Sequence, residues 1–353
     1  MEGLEPARRE TPDPKSGAAT NYATSAEIGT QRYEKLTEYQ TKFSCESYYL
    51  CSETFIMLTI DPSKEKTALV HSYLLGAVAP RPIAFASTID REGNPNLSPF
   101  SFFNCFGSRP PLLIFSPSRR VRDNTTKHTL QNIYETMEVV INVVSYNIVQ
   151  QASLSSVEYP KGVSEFTKAG FTPISSDMVK PFRVKESPVQ MECKVLKVME
   201  MGTEGGAANL IICEVVLMHI NEAVLDENKR IDPNKIDLVG RMGADFYCRA
   251  SNNAVFEVEK PNTKIGIGID AIPENIRLSD ILTGNNLGQL GNIEVLPSSE
   301  EVNAFADENA AIRAMIKNGR TEDLEAQLHE LARHFLEKGL VKDAWKTLLV
   351  NKI

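Results

Sequence analysis

Six short apolar runs follow one another between residues 83 and 220, at 83–89, 97–106, 112–115, 139–144, 189–201 and 210–220, with no sustained helical period among them. Runs of this length read as strands, and the residues between them carry turn chemistry. Arg91-Glu92-Gly93-Asn94-Pro95 is placed to join the first two strands as a hairpin loop, and Gly202-Thr203-Glu204-Gly205-Gly206 to join the last two. Many short strands joined this way predict a barrel or sandwich rather than an alternating α/β fold.

The flanks have a different character. Residues 1–55 are rich in Glu, Thr, Ser, Pro and Gly and lack an apolar period, which predicts a disordered extension. Helical period takes over near the other end. Ser298 and Glu301 form a capping box ahead of Val302, Phe305, Ala306, Ile312, Met315 and Ile316, a helix expected to end at Asn318-Gly319. A second helix carries Leu324, Leu328, Leu331 and Phe335 and stops at Gly339; a third holds Ala344, Trp345 and Leu348. The expected division is therefore an extension over 1–55, a barrel over 56–250, an extended tail packing on the barrel over 251–297, and a helical extension over 298–353.

Composition narrows the function classes. No apolar run approaches the ~20 residues that span a bilayer, so no transmembrane helix is expected. A net charge of −8 argues against nucleic acid as the main partner. The six cysteines form no C-x-x-C pair or zinc-like spacing and read as reduced thiols. With no secretory signal in the first residues, a cytoplasmic location is expected. His329-Glu-Leu-Ala-Arg-His334 resembles a zinc-protease motif, but histidines five apart lie roughly 140° apart around a helix, and no metal site is expected.

Against this acidic background, 116–129 reads Ser-Pro-Ser-Arg-Arg-Val-Arg-Asp-Asn-Thr-Thr-Lys-His-Thr, with Arg119, Arg120, Arg122 and Lys127 opposed only by Asp123. A solvated basic loop would carry the same charges. This one follows a strand and leads into a helix expected over 125–135, whose N-terminal amides and dipole would add to the attraction for a phosphate. The preceding strand reads Leu97-Ser-Pro-Phe-Ser-Phe-Phe-Asn104, small polar residues alternating with aromatics. Pro99 is expected to break its ladder and free backbone groups for an outside partner. A plain core strand with phenylalanines on both faces is the alternative.

Four blocks taken together resemble the flavin-reductase-like, FMN-binding split-barrel family: Ala79-Pro-Arg-Pro-Ile-Ala-Phe-Ala-Ser-Thr88, Asn96-Leu-Ser-Pro-Phe-Ser-Phe-Phe-Asn104, Pro110-Pro111 and Lys127-His-Thr-Leu-Gln-Asn132. Gly240-Arg-Met-Gly243 and Tyr247 extend the likeness more weakly. The resemblance implies a mainly β fold, a split β-barrel with peripheral helices followed here by the C-terminal helical extension, which pairs as a homodimer and holds FMN near the interface. By position it implies that Ser98, Pro99, Phe100, Ser101, Phe102, Phe103 and Asn104 line the flavin ring. Ser116 and Ser118 would form the phosphate loop, and Lys127 and Thr129 would hold the phosphate itself. The implied activity is hydride transfer from NADH or NADPH to flavin, the nicotinamide binding transiently because no Gly-x-Gly-x-x-Gly fingerprint follows a strand. The alternatives are a non-catalytic FMN carrier with a protein-binding helical tail, or amine or pyridoxal-phosphate oxidation on the same barrel. No catalytic residue is singled out.

Overall fold

The computed structural model describes residues 56–261, 264–318 and 321–350, so the expected extension over 1–55 lies outside the described residues. The chain divides into two units, with the boundary between Val258 and Glu259.

The first unit opens with helix α1 (Thr67–Ala77), which sequence reasoning missed. There follow β1 (Ala84–Ile89), β2 (Pro95–Phe100), β3 (Phe103–Ser108), β4 (Pro111–Phe115), helix α2 (His128–Thr136) and β5 (Glu138–Val143). Two short helices, α3 (Val149–Leu154) and α4 (Glu165–Ala169), and the two-residue strands β6 (Pro173–Ile174) and β7 (Arg183–Val184) precede the long hairpin of β8 (Val189–Glu200) and β9 (Asn209–Ile220). Helix α5 (Pro233–Ile236), β10 (Leu238–Arg241) and β11 (Tyr247–Ala250) complete the unit. The main sheet has seven antiparallel strands in the order β2-β1-β5-β8-β9-β4-β3.

That order forces closure. β2 and β3 lie at opposite edges of the sheet, yet only Ser101 and Phe102 separate them. Laid flat, the edges would be about 29 Å apart at ~4.8 Å per strand. The three Cα steps from Phe100 to Phe103 reach at most about 11 Å. The sheet must therefore curl until its edges meet. Register shifts between Glu192 and Cys193 and between Val195 and Lys197 bend the long β8–β9 hairpin in the way that curling requires. The result is the expected split barrel with peripheral helices. The single strand expected over 97–106 is in fact two, because apolar residues continue through the point where the chain passes from one edge to the other.

Two cores flank β1, whose six residues are all buried. Ala84 and Ala86 face the barrel interior with Phe100, Phe115, Ile141, Cys193 and Ile211. Phe85 faces the opposite way, into a cluster with Leu97, Phe166 and Phe171. A strand covered on both faces has no polar side to alternate with, hence its continuous run of small and apolar residues. Outside the barrel, Arg81 donates to the carbonyls of Leu75, Val78 and Met242 at 2.5–2.7 Å, tying the end of α1 to the β10–β11 hairpin. Burial and the nearby Arg241 hold its pKa below the ordinary arginine range. Gly240 lets that hairpin approach closely, since a Cβ there would lie 2.8 Å from the Pro80 Cβ.

The second unit is helical: α6 (Glu274–Arg277), α7 (Gly284–Gly291), α8 (Ser299–Glu308), α9 (Ala310–Asn318), α10 (Thr321–Glu337) and α11 (Val341–Leu349). Its core centres on Trp345, fully buried, with Nε1 donating to the Leu290 carbonyl at 3.0 Å. The Ser298–Glu301 capping box forms as expected, and Gly339 takes the left-handed conformation that ends α10. The single helix expected to 318 is two, because Asn309 is extended and its side-chain oxygen caps the amides of Ala311 and Ile312. The segment 251–297, expected as a tail on the barrel, instead contributes Ile272, Ile276, Leu282 and Leu290 to this helical core. His329 is buried with Nδ1 2.7 Å from the Ser279 hydroxyl, whereas the His334 side chain is exposed.

A chain ending at Val258 is expected to keep the barrel's far-ultraviolet spectrum and thermal transition. One ending at Pro297 retains Ile272, Ile276 and Leu290 without the helices that cover them and is expected to aggregate. Within the full chain, Phe115→Ala and Trp345→Ala each remove a fully buried aromatic and should cost about 3–5 kcal/mol. If the units fold independently, denaturant titration will show each substitution displacing a different transition.

Candidate functional site

Among the described residues no strand pairs with the outer edge of β2. In an antiparallel pair, alternate residues point their amides toward the partner and away from it. The Leu97 amide points away and donates to the Glu165 carboxylate at 3.0 Å, so Pro95 and Pro99, which share its parity, turn their donor-less nitrogens to the same edge. The pairing with β1 accordingly runs unbroken from Pro95 to Phe100. Pro99, expected from the sequence to break the ladder, does not interrupt it, because it sits where the ladder needs no donor. Two prolines and a capped amide leave this edge unable to recruit another strand.

Beside it opens a shallow cleft lined by Asn96 and Ser98 of β2, Arg120, the Lys127-His128-Thr129 start of α2, the segment 155–159, and Glu165. Of the expected residues, the fold thus brings together Ser98, Lys127 and Thr129. Helix α2 starts at His128, three residues later than the sequence suggested, with Lys127 as an extended N-cap that makes no side-chain cap. The amides of Leu130 and Gln131 bond back to the Lys127 carbonyl. Those of His128 and Thr129 have no acceptor among the described residues, and such first-turn amides attract anions.

A buried polar network fixes the Thr129 hydroxyl, which accepts from Asn96 Nδ2 at 2.9 Å. Asn96 and Asn132 also donate to Thr88, at 3.4 and 3.2 Å. Lys127 is half-buried, its ammonium 5.7 Å above the Phe100 ring, with no hydrogen-bond acceptor or ion-pair partner among the described residues. Burial, with Arg120 nearby, holds its pKa below the ordinary lysine range, partly opposed by Glu158. The same influences, burial first and then Arg120 and Lys161, keep His128 below the ordinary histidine range, so it is neutral at pH 7. Burial pushes the Glu165 carboxyl up, against the pull of the Leu97 amide.

The other expected residues lie elsewhere. Phe100 is buried against Phe115, ring centroids 5.6 Å apart. Pro99, Ser101 and Phe103 are half-buried, while Phe102 and Asn104 are exposed on and beside β3. Ser116 accepts from the Asn209 amide at 3.2 Å and sits 3.3 Å from the Ser118 hydroxyl, so the pair ties β4 to β9 rather than lining the cleft. Arg119 is taken by Asn124. Arg241 stacks over Tyr247, 4.7 Å from its ring centroid, outside the cleft. Residues 155–159, His128 and Glu165 were missed as lining. The first follow α3 with no motif of their own, and Glu165 meets Leu97 across 68 residues of sequence.

The model of the flavin reductase like domain matches residues 76–235. An uncharacterized protein of Aquifex aeolicus is 38% identical over 189 residues, 54% of this chain and 94% of that protein. One of Halalkalibacterium halodurans is 35% identical over 190 residues, 53% of this chain and 89% of its own. Among solved structures, nitrilotriacetate monooxygenase component B of Bacillus cereus superposes with a TM-score of 0.54 at 28% identity, over 57% of this chain and 99% of that one. The 2-nitrobenzoate 2-nitroreductase of Pseudomonas fluorescens gives 0.51 at 28% identity, over 57% and 96%. These relatives and solved structures cover little more than half of the chain, and the family match, somewhat less than half of it, lies wholly within the barrel unit. The chain belongs, through that barrel, to the flavin-reductase-like domain family, whose function is flavin-related oxidation and reduction.

Proposed function

We propose that the barrel binds FMN with its phosphate in the cleft at the start of α2, and accepts hydride for it from NADH or NADPH. The observation that carries this reading is Lys127, a half-buried ammonium with no partner among the described residues, beside two helix-start amides equally without an acceptor there and the hydroxyls of Ser98 and Thr129. A group of this kind is costly to desolvate unless an anion completes it. A phosphate monoester fits the donor set, which offers an ammonium, backbone amides and hydroxyls. Bound flavin supplies the two-electron acceptor. The protein's part is to hold the phosphate through Lys127 and Thr129, to hold the ring through residues of 98–104, and to leave one face open to a nicotinamide. Neighbours named as a nitroreductase and a monooxygenase component favour redox chemistry over passive carriage.

The exposed Phe102 of the β2–β3 link, Phe106 of β3, and Leu74 and Val78 at the end of α1 support pairing of two barrels. Cys105, Cys193, Cys213 and Cys248 are free thiols, which suits a reducing cytoplasm. The direct test of function is the absorbance spectrum of the purified protein, with NADH and NADPH consumption measured after adding FMN. Flavin-dependent oxidation of either nucleotide is expected. A yellow protein that consumes neither would be a flavin carrier.

Lys127→Ala should weaken FMN by about 10- to 150-fold, the worth of a charge-assisted bond of ~1.5–3 kcal/mol, and leave riboflavin, which lacks the phosphate, nearly unchanged. The cation is present below the Lys127 pKa and lost above it. Because that pKa lies below the usual lysine range, FMN affinity should begin to fall at a pH where an ordinary lysine is still charged. Riboflavin affinity should show no such step. Fluorescence titration of both flavins across pH checks both expectations.

A further inference from the structure

Two carboxylates line the cleft, and they are used differently. Glu165 is buried and committed to the Leu97 amide. Glu158 is turned toward the cations of the phosphate loop: its Oε1 is 2.6 Å from Arg120 Nε and its Oε2 is 2.9 Å from Arg122 Nη2. Both bonds reach across more than thirty residues of chain, from the segment between α3 and α4 to the loop ahead of α2. Arg120 is otherwise fixed by the loop itself, through Nη1 to Thr125 Oγ1 at 2.8 Å and to the Thr126 carbonyl at 2.7 Å. Its Nε edge is thus the part that Glu158 occupies. Arg122 and Arg120 hold the Glu158 pKa below the ordinary carboxylate range, so the group is an anion at neutral pH. The same carboxylate also acts electrostatically on Lys127 and His128.

We propose that Glu158 is an internal counter-anion of the phosphate cleft, competing with a bound phosphate monoester for Arg120 and Arg122 and so keeping FMN exchangeable rather than permanently held. This rests on the reading of the cleft as the FMN phosphate site. The geometry suits a displaceable group, because the Glu158 side chain is 43% exposed and can leave the arginines for water when a dianion arrives. Arg120 keeps its place without it, through Thr125 and Thr126. Glu158 therefore acts as a charge opposing the ligand and not as a support for the loop.

Glu158→Gln separates these roles, since glutamine removes the charge and the acceptor for the exposed Arg122 while keeping one acceptor for Arg120. Relief of one like charge beside a partly solvated phosphate should tighten FMN binding by about tenfold, with riboflavin affinity unchanged to within about twofold. Removing the internal anion also leaves more net cation for the ligand, so FMN affinity in the variant should fall more steeply with added salt. Fluorescence titration of FMN and riboflavin against the full-length protein and Glu158→Gln, at two ionic strengths, reads all three effects. Unchanged or weaker FMN binding in Glu158→Gln, while Lys127→Ala still costs FMN more than riboflavin, overturns the counter-anion role and leaves the phosphate site standing. Equal losses of both flavins in Lys127→Ala overturn the phosphate reading and the counter-anion role with it.

Discussion

The two-residue link between β2 and β3 is the constraint on which the barrel depends. Because Ser101 and Phe102 must carry the chain from one sheet edge to the other, the sheet cannot stay open. Closure sets the positions of its parts: the inward residues of the sheet's strands share one core, β1 is covered on both faces, and the outer edge of β2 pairs with no strand among the described residues. An unpaired edge is ordinarily a hazard. Here it is made safe by Pro95, Pro99 and the Glu165 cap on Leu97, and the polar groups beside it become one wall of a cleft.

The site follows from that arrangement. The helix that starts at His128 brings amides that have no acceptor among the described residues to the same edge, and the network of Asn96, Thr88, Thr129 and Asn132 locks helix to strand. Positive charge is concentrated there within an otherwise acidic chain. Arg119 is used within its own loop and Arg120 and Arg122 are shared with Glu158, which leaves Lys127 as the cation best placed to meet an incoming anion. A net count of basic residues over 116–129 could not have ranked these four; their partners do.

Much of the fold was legible because strand length, turn chemistry and capping are local. The β8–β9 hairpin, the capping box at Ser298 and the stop at Gly339 were all readable. What failed was non-local. Phe100 to Phe103 looks like uninterrupted strand in sequence, since nothing in an apolar run marks where it changes sheet edge. Proline at 99 suggests a strand break, because the side of the strand its nitrogen faces depends on a neighbour remote in sequence. The residues of 267–296 lack a strong period, and their apolar positions acquire meaning only against Trp345 and the last helices. In the site, Lys127 and Thr129 were found by charge, helix position and family likeness. Glu158 and Glu165 were not, as each meets its partner across tens of residues.

In the proposed complex α2 presents its first amides to the phosphate of FMN. Histidine-selective nitrogen-15 labelling tests it most directly, because the chain has only five histidines and a His128→Gln spectrum assigns the signal of interest. The His128 backbone amide is expected to shift on adding FMN and, at higher concentration, inorganic phosphate, and to stay in place with riboflavin. An amide that ignores FMN while the flavin binds, or that moves equally with riboflavin, would contradict it.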